Sequence, residues 1–236
     1  MKKLLFATLV ACGSPGPANV TITQPLAGPT TSVASPAVEP PDFRAFVGAG
    51  CTETGDKLDC TRASIDAISL CREPLYEEHV ALDPPAAVAV CFVDRSKAEN
   101  GVRQQGCMLP AWVHLFAATA KGMLHLASVK DFTDAFAPVT SGDEAIAFVT
   151  LLTGDVAYKE PFSPPGGARV SVAGPQVTRV TSGAGGFELR LFHGEVCGCS
   201  HPLSAVDYRV SRDGEVKELA RTELWEDPKS MGMCVD

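Results

Sequence analysis

Cys197-Gly198-Cys199-Ser200-His201 is the stretch of this chain with the greatest reactive potential. Its two thiols and its imidazole are spaced by two residues. On an extended backbone, side chains at that spacing share one face. Two thiolates and an imidazole on one face suit a soft ion such as Cu(I) or Zn(II). The same Cys-Gly-Cys could act as a redox pair, because a thiolate attacks a disulfide sulfur within reach. Both chemistries need sulfurs that are free or cycling. In an oxidising compartment the competing outcome is a structural bridge from each Cys to a distant partner, since a bridge between i and i+2 is strained. Cys234 stands near the C-terminus as such a partner and would pin the tail. Structural bridges are the expectation; metal ligation by Cys197, Cys199 and His201, or redox exchange, is the alternative.

Other reactive signatures do not occur in the sequence. There is no H-E-x-x-H, no G-x-S-x-G, no phosphate-binding P-loop and no EF-hand loop. Asp143-Glu144 falls at a helix start, where acids are favoured by the helix dipole. Glu77-Glu78 precedes His79 in a polar stretch and reads as solvated. No catalytic residue and no cofactor is expected, and the chain is read as a non-enzyme.

The elements that would carry these residues follow from periodicity. Ala86 to Val93 is a continuous apolar run after Pro84-Pro85, suited to a strand buried on both faces, with Cys91 inside the sheet. Trp112 to Ser128 reads as a hairpin around Ala120-Lys121-Gly122. A two-residue turn puts Val113, Leu115, Leu124 and Leu126 on one face. Trp112, His114, Phe116, Met123 and His125 then share the other, with the two His as diagonal neighbours. They are read as half-buried face residues, with a metal pair as the functional alternative. Ser128-Val129-Lys130-Asp131 opens a short helix ending before Pro138. Ser141 with Glu144 forms a capping box, Ile146, Val149 and Leu152 recur at helical spacing, and Gly154 fits the C-terminal stop. Phe187, Leu189 and Leu191, then Val206, Tyr208 and Val210, alternate with polar residues as half-buried strands. At Arg212-Asp213-Gly214 a three-residue loop with Gly214 left-handed pairs Val210 with Val216. The fold class expected is α+β, an antiparallel sheet with two short helices, stapled by disulfides.

This helix followed by an antiparallel meander with an Asp-Gly hairpin, over residues 141–221, resembles the layout of cystatin-like and PepSY domains. The resemblance implies a small exported binding or inhibitory module and carries over no functional residues.

The first twelve residues supply an address. Met1-Lys2-Lys3 is a basic head, Leu4 to Ala11 is a short apolar run, and Leu9-Val10-Ala11-Cys12 closes it. This is the layout of an export signal. Crossing a bilayer would need roughly 18 or more apolar residues. Leu9 to Cys12 resembles the lipobox of bacterial lipoproteins. That resemblance implies cleavage before Cys12, acylation of Cys12, and anchoring to the membrane of the envelope. In enteric-type sorting an Asp after the Cys would mark retention at the inner membrane, so Gly13 implies the outer one. Residues 1–11 are then a signal peptide. Residues 12–45, rich in Pro, Ser, Thr, Ala and Gly, form a tether that lacks the apolar surface to fold. Residues 46–236 are expected to form one globular α+β domain.

The cysteine count agrees with this address. Of nine Cys, lipidation of Cys12 leaves an even set: Cys51, Cys60, Cys71, Cys91, Cys107, Cys197, Cys199 and Cys234. Spacings of nine and eleven among Cys51, Cys60 and Cys71 lack the close pairs of zinc knuckles and suit disulfides. The formal charge is −8 before the two leader lysines are lost. Such an acidic chain lacks the Lys/Arg density that nucleic acid requires. Docking to anionic lipid would fall to the acyl chain. The functional expectation is a lipid-anchored envelope module, structural or binding a protein or small ligand. The alternative is a metal-binding or thiol-redox envelope protein using Cys197 to His201.

Overall fold

The computed structural model describes residues 44–48, 51–54, 57–59, 75–77, 81–199 and 201–227. All of them lie in the compact unit running from Val38 to Asp236. Cys12, the leader, tether residues 12–43, Cys60, Cys71 and Cys234 lie outside the described residues, and the last two tether positions, Arg44 and Ala45, open a short helix.

Among the described residues there are two antiparallel sheets, where sequence patterning anticipated one. The first contains β1 (Thr52–Thr54), β2 (Lys57–Asp59), β3 (Leu75–Glu77), β4 (Ala86–Val93), β5 (Arg103–Gln105), β6 (Ala111–Thr119) and β7 (Gly122–Leu126). Strand β6 is its pivot. It pairs with β4 along its length, from Ala86 opposite Thr119 to Val93 opposite Trp112. Its other edge takes β5 over the first half and β7 over the second. Both faces of this centre are dry. Val88, Val90, Val113, Leu115 and Ala117 face the large core. Ala87, Ala89, Cys91, Val93, Phe116 and Ala118 face a second cluster with Phe46 of the short helix α1 (Arg44–Gly48). That double burial is why Ala86 to Val93 reads as an unbroken apolar run. The β6–β7 hairpin closes with Thr119 opposite Gly122, leaving Ala120-Lys121 as a two-residue turn.

Helices α2 (Val129–Phe136) and α3 (Gly142–Thr153) follow. Ser128 caps α2 by accepting from the Asp131 amide, and the helix buries Phe132 and Phe136. In α3 the Ser141 hydroxyl accepts from the Glu144 amide at 3.2 Å and the Glu144 carboxylate accepts from the Ser141 amide at 3.1 Å. These bonds satisfy amides that a helix start leaves orphaned. Helix α3 is buried nearly all round through Ala145, Ala147, Phe148, Val149, Leu151 and Leu152. It shares one core with Val113 and Leu115 of the first sheet and with Leu189, Leu191 and Val206 of the second. Each such side chain contributes roughly 1.5–3 kcal/mol by leaving water. At its C-terminus Gly154 is left-handed, φ +84°. The Arg103 guanidinium of β5 donates to the Leu151 carbonyl, a cation at the negative end of the helix. A Cβ on Gly154 would sit 3.1 Å from Arg103 Nε.

The second sheet runs β8 (Arg169–Val170), β12 (Val216–Glu226), β11 (Pro202–Ser211), β10 (Gly186–Gly194), β9 (Arg179–Gly183). Leu189 lies opposite Tyr208 and Leu191 opposite Val206, as the alternation requires. The β11–β12 turn is the three-residue loop. Val210 pairs with Val216, the Ser211 amide donates to the Glu215 carbonyl at 2.9 Å, and Gly214 has φ +86°. A Cβ on Gly214 would fall 2.7 Å from Phe148 Cε1, so the hairpin tip rests against α3. The opposite face of this sheet buries Phe192, Ala205, Leu224 and Trp225 under Phe162. Residues 217–223 of β12 are exposed on both faces.

Candidate functional site

The Cys197–His201 stretch forms the connection between β10 and β11 rather than a flat strand. Gly198 has φ +85°, which breaks the extension that a shared face would need. Cys197 is bridged to Cys107, 90 residues away, with Cα atoms 5.4 Å apart. Cys199 is disulfide-bonded as well, as are Cys51 and Cys91. His201 Nδ1 lies 3.2 Å from the Glu195 carbonyl, a contact in which the ring donates. The Glu195 amide donates to the Pro202 carbonyl at 3.1 Å and closes the base of the loop. The Cys107–Cys197 bridge therefore ties the loop after β5 to the loop after β10, one from each sheet. Among the described residues no group of three His, Cys, Asp or Glu side chains is placed to hold a metal.

A polar network stands where α3 ends. Past Gly154 the chain turns, and the Asp155 side chain, 2% exposed, enters the inner face of the second sheet. Its Oδ2 accepts from the Tyr208 hydroxyl at 2.7 Å. Its Oδ1 lies 2.8 Å from His193 Nδ1, which therefore carries the donated proton. A buried carboxylate satisfied on both oxygens is the condition for keeping such a charge out of water. Burial, reinforced by Asp155, holds the Tyr208 hydroxyl well above its ordinary range, so it remains a donor. The second ring nitrogen of His193 faces Glu195 Oε2 at 3.7 Å. Acid–base sites use this Asp–His pairing, but they set a hydroxyl or thiol opposite the far nitrogen. Here a carboxylate occupies that side.

Alongside, on the exposed inner face of β12, Arg221 grips Glu218 through two bonds of 3.1 and 3.0 Å. The pairing raises the Arg221 pKa and lowers that of Glu218. Thr153, whose hydroxyl accepts from the Asp155 amide at 3.1 Å, also lines a cleft of about 600 Å³ between α2, the end of α3 and the β11–β12 turn. Val129, Leu152 and Val216 supply its apolar wall; Lys130, Asp213 and Glu215 supply charge. Small-molecule sites commonly have this character, an apolar wall with a few fixed polar groups.

Sequence reasoning named neither Asp155 nor Tyr208 as a site residue. One signal was present. His193 continues the inward register of Phe187, Leu189 and Leu191, where a further apolar residue is expected.

The hairpin histidines meet as the pairing implied. His114 Nδ1 and His125 Nε2 are 3.0 Å apart, and His114 Nε2 is 2.8 Å from the Asn100 carbonyl. The His125 ring stacks on Phe116 at 4.7 Å and 8°. Burial, then His114, lowers the His125 pKa, and Asp131 opposes them.

No helix of the described residues is long and apolar enough to cross a membrane. No family model, no curated protein and no solved structure matches this chain.

Proposed function

We propose that this protein is a lipid-anchored binding module of the bacterial envelope. Acylated Cys12 holds it to the membrane, residues 12–45 space it from the surface, and a disulfide-stapled domain presents the cleft beside Thr153. The observation that carries this reading is the Cys107–Cys197 bridge between the loops of two sheets. Structural disulfides persist in oxidising compartments, which agrees with an export signal. The packing of α3 on β10 and β11 supports a cystatin-like or PepSY-like arrangement, a layout suited to binding. Binding is favoured over catalysis because His193 faces Glu195 rather than a nucleophile. The bridge at Cys197 favours a stapled scaffold over thiol exchange or metal ligation at Cys197, Cys199 and His201.

The test is fractionation and intact mass of the expressed full chain beside its Cys12→Ser variant. The expected result is an acyl mass on Cys12 and membrane association in the parent, with the variant lacking the acyl mass and released from the membrane. A parent whose mature N-terminus is not Cys12, or which fractionates like the variant, overturns the anchored reading.

A further inference from the structure

The two hairpin histidines are arranged for something that neither the core nor the cleft uses. A carbonyl can only accept, so His114 Nε2, 2.8 Å from the Asn100 oxygen, carries a hydrogen. In the neutral ring His114 Nδ1 then holds a lone pair, and it points at His125 Nε2, 3.0 Å away. His114 is 4% exposed and fixed between strands, whereas His125 is open to solvent. One nitrogen is thus held rigidly by a backbone acceptor and the other can be reached from outside. Metal-binding imidazoles characteristically donate their second N–H to such an acceptor, which fixes the tautomer and strengthens the ligand.

We propose that His114 Nδ1 and His125 Nε2 form a two-imidazole chelate for a divalent first-row transition ion, Cu(II) foremost. Among these ions Cu(II) is the tightest binder of imidazole. The proton balance closes. In the empty pair His125 Nε2 donates to His114; on binding, that proton leaves Nε2 and His125 takes one up from water on Nδ1. Both rings stay neutral, and His114 keeps its bond to Asn100. The exposed His125 ring rotates so that the two lone pairs converge. Asp131, whose charge already acts on His125, favours a cation there. Because no third protein ligand is grouped with the pair among the described residues, water completes the coordination.

The test is titration of the full, oxidised chain without an affinity tag, using Cu(II) alone, followed by calorimetry and electron paramagnetic resonance. The expected result is one equivalent bound with the signature of two nitrogen ligands. His125→Gln should weaken it more than ~10-fold, as loss of a direct ligand must exceed the loss of an outer-shell partner. His201→Gln should leave it unchanged. In the unaltered protein, Cu(II) should broaden the proton resonances of His114 and His125 before those of His79, His193 and His201. That measurement stands even where a variant fails to fold. Equal binding by His125→Gln, a single-nitrogen spectrum, or first broadening at another histidine overturns the proposal.

Discussion

The two sheets treat their strands differently. In the first, β4 and β6 are covered on both faces, by α3 and the second sheet on one side and by the cluster around Phe46 on the other. In the second, α3 lies over β10 and β11, and β12 emerges beyond its cover with residues 217–223 exposed. A strand with two dry faces can take part in little except packing, because any polar side chain there would need a buried partner. A strand that leaves the shelter of a helix has polar positions beside apolar ones. Asp155, His193, Tyr208, Glu218 and Arg221 gather at that boundary. The contrast places the Asp155 network at the margin of the second sheet and the two-sided apolar packing at the centre of the first.

The sharpest way to break this comparison uses the same substitution on each sheet. Leu115, 0% exposed on β6, and Leu219, 43% exposed on β12, should respond very differently to Leu→Ala. Denaturant unfolding should show a loss of ~2–5 kcal/mol for Leu115→Ala, from lost transfer energy and a cavity. Leu219→Ala should stay within about 0.5 kcal/mol. Equal losses would mean that β12 is covered in solution.

Next comes the covalent link between the sheets. Cys107→Ser with Cys197→Ser should cost ~2–4 kcal/mol, because a 90-residue closure no longer limits the unfolded chain. Unfolding of the double variant against the parent, both non-reduced, measures it. An unchanged midpoint would show that the sheets are joined by packing alone.

Tyr208→Phe should then cost ~1.5–3 kcal/mol, the range for a hydrogen bond to a charged group, here the buried Asp155 carboxylate. A neutral result in urea unfolding would mean that water replaces the hydroxyl and that the network is wetter than its burial indicates.

The smallest effect concerns the His114–His125 pair of the first sheet. His125 binds its proton less readily folded than unfolded, chiefly because its ring is partly desolvated against the sheet and then through His114. Between the folded value and the ordinary 6.5, the unfolded chain therefore holds more protons. Its contribution to stability is complete above that ordinary value and is lost as pH falls through the folded one. The stability difference between the parent and His125→Gln should shrink as pH falls below neutrality. A difference independent of pH would contradict the pairing.

Much of this scaffold can be read from local pattern. The two-residue turn at Ala120-Lys121 follows from alternation, and so does the meeting of His114 with His125. The Ser141–Glu144 box and the Asp213-Gly214 turn are short-range chemistry and appear where the pattern places them. The division into two sheets is not legible in this way. It depends on α3 being buried all round, and its apolar positions alone do not say that a second layer covers its other side. The Asp155 network is harder still. Its bonds span 38 and 53 residues and arise only when the end of α3 lands on the register of β10 and β11. Cys197 and Cys199 show the converse difficulty. Their spacing is informative only on a straight backbone, and left-handed Gly198 bends it.

The bridge from Cys107 to Cys197 also makes a covalent ring of everything between them: the hairpin, α2, α3 and the strands through β10. A single proteolytic cut within that ring opens it without releasing a fragment. The nicked molecule stays in one piece, heavier by one water, until it is reduced. One break inside the ring is damage that the covalent connectivity survives.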